Sequence, residues 1–127
     1  MRRLAFSVIV GNSDAHAKNY SVLLRPDAIA LSPMYDVIPL FLYPDVDHAL
    51  AMPIGRARHP QEVTPNHWAL FARSFGEGED EVLGIVTDIA SAMGEHVDEV
   101  WDDLDDDQRT QARVVVARNV ERTLTPR

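Results

Sequence analysis

The chain has 127 residues, no cysteine and a formal net charge of −8, with 46% hydrophobic and 25% charged residues. This is the composition of one ordinary globular domain, and it excludes a disordered tail, a disulfide framework, thiolate chemistry and any Cys-based zinc site. No apolar run approaches the roughly 20 residues of a membrane span, and no cationic start leads through an apolar stretch to a small-residue cleavage site, so a cytoplasmic location without membrane contact is expected.

The first segment, "RRLAFSVIV", clusters Leu4, Ala5, Phe6, Val8, Ile9 and Val10, a pattern that fits a buried helix or a short strand, and Gly11-Asn12 ends it. "YSVLL" and "AIAL" flank "RPDA", in which Pro favours a turn, so a β-hairpin is expected from Tyr20 to about Leu31. In "MYDVIPLFLYP", Pro39 and Pro44 break any long helix, and "HALAMPIG" reads as a short strand. A helix is expected from Thr64, its N-cap, with Pro65 at the first helical position, to about Phe75, with Gly76 just past the end. Val82, Val86, Ile89, Met93, Val97, Val100, Trp101 and Leu104 then trace the apolar face of one helix, or of two broken near Gly94. Asp105 to Asp107 cap a last helix from about Gln108 to Leu124, whose Arg118 and Arg122 suit the C-terminal end of its dipole.

Between Glu77 and Asp107 stand 13 acidic residues and no Lys or Arg. That half of the chain reads as a solvated acidic helix surface, and direct nucleic-acid binding, which rests on cationic contacts to phosphate, is not expected. Asp103, Asp105 and Asp107 alternate as calcium ligands do. The EF-hand test fails, however, with Gln108 where Gly is needed and Val114 where Glu is needed. His48, His59, His67 and His96 show no metal-ligand pairing, and Trp68, Phe71 and Phe75 read as core residues at helical spacing.

The chemistry concentrates in "GNSDAHAKNYSVLL". A phosphoryl-transfer site needs a carboxylate to orient or deprotonate the attacking hydroxyl and an oxygen ligand to hold Mg²⁺ on the phosphates. In the kinase pattern H-R-D-x-x-x-x-N these residues stand five apart, as Asp14 and Asn19 do here. A second metal-binding Asp is expected beyond the hairpin, and Asp36 in "SPMYDV" is the natural candidate. Lys18 is the only lysine, against 11 arginines, which favours a particular role for its compact ammonium.

"GNSDAHAKNYSVLL" followed by "LSPMYDVIP" resembles the catalytic loop and metal segment of the HipA-like serine/threonine kinases, the toxin kinases of bacterial toxin–antitoxin modules. The similarity continues through "ALAMPIG" and the helices, although only the first 36 residues are specific; D-x-H-x-x-N is also similar to the catalytic loop of phosphoinositide 3/4-kinases. The resemblance implies that Asp14 is the catalytic carboxylate, that Asn19 and Asp36 bind Mg²⁺ and ATP, and that His16 and Lys18 support the transferred phosphate. His16 follows Asp14 by two, where the H-R-D histidine precedes its Asp, and Asp36 is followed by Val-Ile where eukaryotic kinases have Phe-Gly; both fit the HipA-like pattern.

Only 13 residues precede Asp14, with no lysine and no glycine-rich loop among them. The expectation is therefore a mainly α domain with a small β-hairpin over residues 1–127, resembling the C-terminal lobe of a HipA-like kinase without its N-terminal nucleotide-binding lobe. The function it implies is ATP- and Mg²⁺-dependent transfer of phosphate to a protein Ser or Thr hydroxyl, with a translation component as substrate and a HipB-type antitoxin or a separate N-terminal lobe as partner. The alternative is a catalytically inactive interaction module, which exposed apolar surface on the first ten residues and the hairpin would favour.

Overall fold

A computed structural model describes residues 1–99, 101 and 103–125. The elements run α1 (Arg2–Val10), β1 (Val22–Leu24), β2 (Ile29–Leu31), α2 (Pro65–Phe75), α3 (Glu79–His96) and α4 (Asp106–Leu124), with one-turn 3-10 segments at Ala17–Asn19, Leu40–Leu42 and Pro60–Glu62. The architecture is thus mainly helical with one small antiparallel hairpin, as expected.

The apolar cluster of the first segment resolves as helix. α1 buries Ala5, Ser7, Val8, Ile9 and Val10, and Gly11 stops it in the left-handed conformation at φ 80°, with the Gly11 and Asn12 N–H groups returning to Val8 and Ser7 carbonyls. Only glycine fits here: a Cβ would lie 2.6 Å from Phe41 Cδ1.

α1 serves two halves of the core. Its Ala5 and Val8 pack with Ile54, Trp68, Ala72, Val82 and Val86, joining α2 and α3 to the loop before them. Its Ile9 packs with Ala90, Val116 and Val120, joining α3 and α4. Trp68 is fully buried, and each large side chain of this kind contributes about 1.5–3 kcal/mol by leaving water. Of the aromatic trio, Phe71 is half-buried at the cluster's margin, whereas Phe75 is 68% exposed.

Local chemistry sets the helix ends. α2 starts at Thr64, whose backbone N–H and hydroxyl both meet His67 Nδ1, carries Pro65 at its first position and stops at left-handed Gly76. α4 begins at Asp106, two residues before the expected start, because Asp105 and Gln108 exchange hydrogen bonds in a capping box. Of the aspartate run, Asp105 makes the box, and Asp106 and Asp107 stand in the first turn, where negative charge suits the helix dipole.

Of the two readings left open for this segment, one helix or two broken near Gly94, the structure has α3 passing through Gly94 to end at His96; the missing Cβ lets α4 approach, since a Cβ at Gly94 would sit 3.3 Å from Val120 Cγ1. One expectation differs from the structure. "HALAMPIG" forms no strand: Ile54 and Ala57 make an isolated bridge around Gly55 at φ 59°, and Pro53 has no N–H to extend the pairing. Along the expected α3 face, Val82, Val86 and Ala90 are buried, Ile89, Met93, Val97 and Trp101 pack against the second half of the core, and Val100 lies outside the described residues.

Candidate functional site

The "GNSDAHAKN" loop leaves the C-terminal end of α1 and is held from several sides. The Gly11 carbonyl accepts from the Leu40 N–H at 3.2 Å, and the Ser13 carbonyl accepts from the Ala51 N–H at 2.8 Å. Asn12 and Ser13 are buried, at 2% and 1% exposure, while Asp14 projects into solvent between them and the buried Ala15. The alternation places a carboxylate at the surface on a rigid base.

Asp14 also organises the next turn through its backbone. Its carbonyl accepts from the His16 N–H at 2.8 Å and from Asn19 Nδ2 at 3.2 Å. The second bond fixes the Asn19 amide with its nitrogen toward Asp14, leaving the Oδ1 lone pairs for another ligand. His16 Nε2 lies 4.0 Å from Asp14 Oδ1, and its Nδ1 is buried without a hydrogen-bond partner among the described residues. Lys18 is exposed and makes no ion pair among them. Tyr20, which leads into β1, is half-buried beside Ser7 and Arg3; burial pushes its phenol pKa up, while the Ser7 hydroxyl and Arg3 guanidinium oppose the rise.

The hairpin then returns the chain. β1 and β2 pair antiparallel with Val22 opposite Leu31, Leu23 opposite Ala30 and Leu24 opposite Ile29, and the Arg25 N–H reaches the Ala28 carbonyl across the Pro26-Asp27 tip. At the base, the Ser32 N–H donates to the Ser21 carbonyl at 2.9 Å.

This return brings the Asp36 segment against the loop. Asn12 Nδ2 reaches the Asp36 carbonyl at 3.5 Å, and the Tyr35 hydroxyl donates to the Lys18 carbonyl at 3.0 Å and contacts Ser21 Oγ at 2.6 Å. Only about 10 Å³ of space remains between them, lined by Arg3, Ser7, Asn12, Asn19, Tyr20 and Tyr35 among others. Asp36 has φ 56°, the one non-glycine residue in the left-handed region among those described, a conformation Asp tolerates better than most residues but at some cost. Its side chain is exposed and has no hydrogen bond or ion pair among the described residues.

Asn12 and Tyr35, which the motif does not single out, are thus the groups that join the two segments. Asn12 stands two before Asp14, and Tyr35 stands next to Asp36, so proximity to the motif was their only signal in the sequence. No three His, Cys, Asp or Glu side chains converge among the described residues. The two segments carry hard oxygen donors, the Asp36 carboxylate and the Asn19 amide oxygen, of the kind Mg²⁺ takes alongside phosphate and water.

Comparisons with known proteins place the chain in a family and match its fold. Residues 1–97 match the family model described as HipA-like C-terminal domain. The chain is 33% identical over 109 residues to the Sinorhizobium fredii protein named "Putative kinase Y4mE", covering 86% of this chain and 26% of that protein. It is 30% identical over 95 residues to the serine/threonine-protein kinase toxin HipA of Shewanella oneidensis, covering 75% of this chain and 22% of the toxin. Its fold superposes on a chain in the solved complex of the Shewanella oneidensis toxin–antitoxin system, HipA with HipB and operator DNA, with a TM-score of 0.84, 27% identity and coverage of 97% of this chain and 30% of that one. The chain spans about a quarter of the length of the curated relatives it matches. With the family model matching most of its length and a kinase-like C-terminal domain as its fold, the chain belongs to the HipA-like C-terminal domain family.

Proposed function

We propose that this chain supplies the catalytic and metal-binding loops of a HipA-like kinase that transfers the ATP γ-phosphate to a Ser or Thr hydroxyl of a protein. The observation that carries the reading is the Asn19–Asp14 bond: it turns the Asn19 oxygen away from Asp14 and fixes it beside an exposed carboxylate, with Asp36 held against the same loop. Asp14 accepts the proton of the acceptor hydroxyl as its oxygen bonds to the γ-phosphorus and the bond to the leaving ADP oxygen breaks. Lys18 and His16 offset charge on the transferring phosphoryl oxygens. Asn19 Oδ1 and the Asp36 carboxylate hold Mg²⁺, which when bound neutralises charge on the phosphates.

The partner that this reading favours is an antitoxin protein, because the matched HipA chain was solved with HipB. A translation component as substrate and a cytoplasmic site of action complete the proposal; no helix among the described residues is long and apolar enough to cross a membrane.

A second reading, an interaction module, has its own observation. Leu24, Ile29, Leu31 and Val22 are 78%, 75%, 56% and 55% exposed, so the hairpin is apolar at its surface, and Leu4, Phe6 and Val10 of α1 line two apolar clefts of about 540 and 420 Å³. A titration of fluorescent ATP with and without Mg²⁺, run beside Asp36→Asn, tests the first reading. Mg²⁺-dependent binding that the variant loses supports the kinase site, and no binding by either protein means that this chain is at most half of a kinase and turns the search to a separate N-terminal lobe or a partner.

A further inference from the structure

The two proposed metal ligands lie 17 residues apart in sequence, and a hairpin runs between them. A two-stranded ribbon is marginally stable by itself, and this one has all six strand residues exposed. It cannot by itself keep Asn19 and Asp36 at a fixed separation.

Tyr35 bypasses it. The phenol has one proton, which it donates to the Lys18 carbonyl at 3.0 Å, so at 2.6 Å the Ser21 hydroxyl must be the donor to Tyr35. Lys18 precedes Asn19 by one residue and Ser21 follows it by two, while Tyr35 is bonded directly to Asp36. One hydroxyl therefore ties both sides of the first ligand to the neighbour of the second. Of the other links, the Ser32 N–H bond to the Ser21 carbonyl at 2.9 Å closes the base of the hairpin four residues before Asp36, and the bond from Asn12 Nδ2 to the Asp36 carbonyl is at the long limit of 3.5 Å. Tyr35 is 44% exposed and belongs to neither half of the core, so its two hydrogen bonds are not explained by packing.

We propose that Tyr35 is a positioning residue that sets the distance between Asn19 Oδ1 and the Asp36 carboxylate, so that both close on one divalent cation while the hairpin moves. This rests on the metal-pair reading above.

The test tracks the Asn19 side-chain amide and the Asp36 backbone amide by NMR as Mn²⁺ is added, in the wild type, Tyr35→Phe, Ser21→Ala and Asp36→Asn. In the wild type both signals broaden with one midpoint. Tyr35→Phe keeps the ring and is expected to raise the midpoint about tenfold with an unchanged pattern of core amide signals, as loss of a group that orients a metal ligand does. Ser21→Ala, which removes one of the two bonds, shifts it less in the same direction and carries the test should Tyr35→Phe fail to fold. Coincident curves for these variants and the wild type would overturn the positioning role while the metal pair stands. Absence of broadening in the wild type, or its persistence in Asp36→Asn, would overturn the metal pair itself and the positioning role with it.

Discussion

The Asn119 side chain on α4 donates through Nδ2 to the Ile9 carbonyl of α1 at 3.0 Å, across 110 residues of sequence. Asn119 is buried, and its Oδ1 accepts from Arg122 at 2.9 Å, so it satisfies a carbonyl in the last turn of α1, just before Gly11 and the loop that carries Asp14.

Asn119→Leu should therefore destabilise the protein by about 1–3 kcal/mol, the cost of a buried carbonyl left without its donor. Urea unfolding monitored by circular dichroism measures this. A midpoint within error of the wild type would mean that the α1 carbonyl finds another partner.

Two glycines of α3 should respond oppositely to alanine. Gly84 faces open space, so Gly84→Ala is expected to stabilise by about 1 kcal/mol through helix propensity. At Gly94 the new Cβ meets Val120 at 3.3 Å, and most of that gain should be lost. Thermal melts of the pair check the contrast, and equal gains would show that α4 yields freely.

Glu62 gives a pH signature. Its carboxylate accepts the Arg58 and His59 backbone N–H groups at 2.8 and 3.2 Å, which lowers its pKa from 4.5. A carboxyl with a depressed folded-state pKa adds stability above its unfolded value and loses it as pH falls through the folded one. The stability gap between wild type and Glu62→Gln, measured by denaturant titration, should thus be full at neutral pH and close as pH falls below the ordinary carboxylate range. A gap that persists in strong acid would refute the assignment.

Asp36 should tolerate changes of charge better than changes of shape. Asn and Gly adopt the left-handed region readily, so Asp36→Asn and Asp36→Gly are expected to keep the wild-type melting temperature, whereas Asp36→Val should lose about 1–2 kcal/mol. Equal melting temperatures for all three would mean that the φ of 56° carries no strain.

How much could be read in the sequence depends on the range of the interactions involved. The bounds of α2 were legible because Thr64, Pro65 and Gly76 act on adjacent backbone, and the hairpin was legible from two apolar runs around Pro26-Asp27. At the candidate site, the residue types and spacing of Asp14, Asn19 and Asp36 were readable, but the contacts were not. The Tyr35–Lys18 bond spans 17 residues, and no local pattern encodes it. Gly94 left one helix or two open because a glycine that weakens a helix locally is the same residue that lets a second helix approach. "HALAMPIG" misled because its apolar residues are claimed by the core through Leu50 and Ile54 and need no neighbouring strand.

The left-handed turn at Asp36 has an evolutionary consequence. An Asp codon is one base away from an Asn codon and one base away from a Gly codon, and these are the residues this backbone accepts with least strain. One point mutation can thus remove the carboxylate and leave the fold intact. A metal ligand placed on such a turn, as proposed for Asp36, is one that a lineage can lose well before it loses the fold.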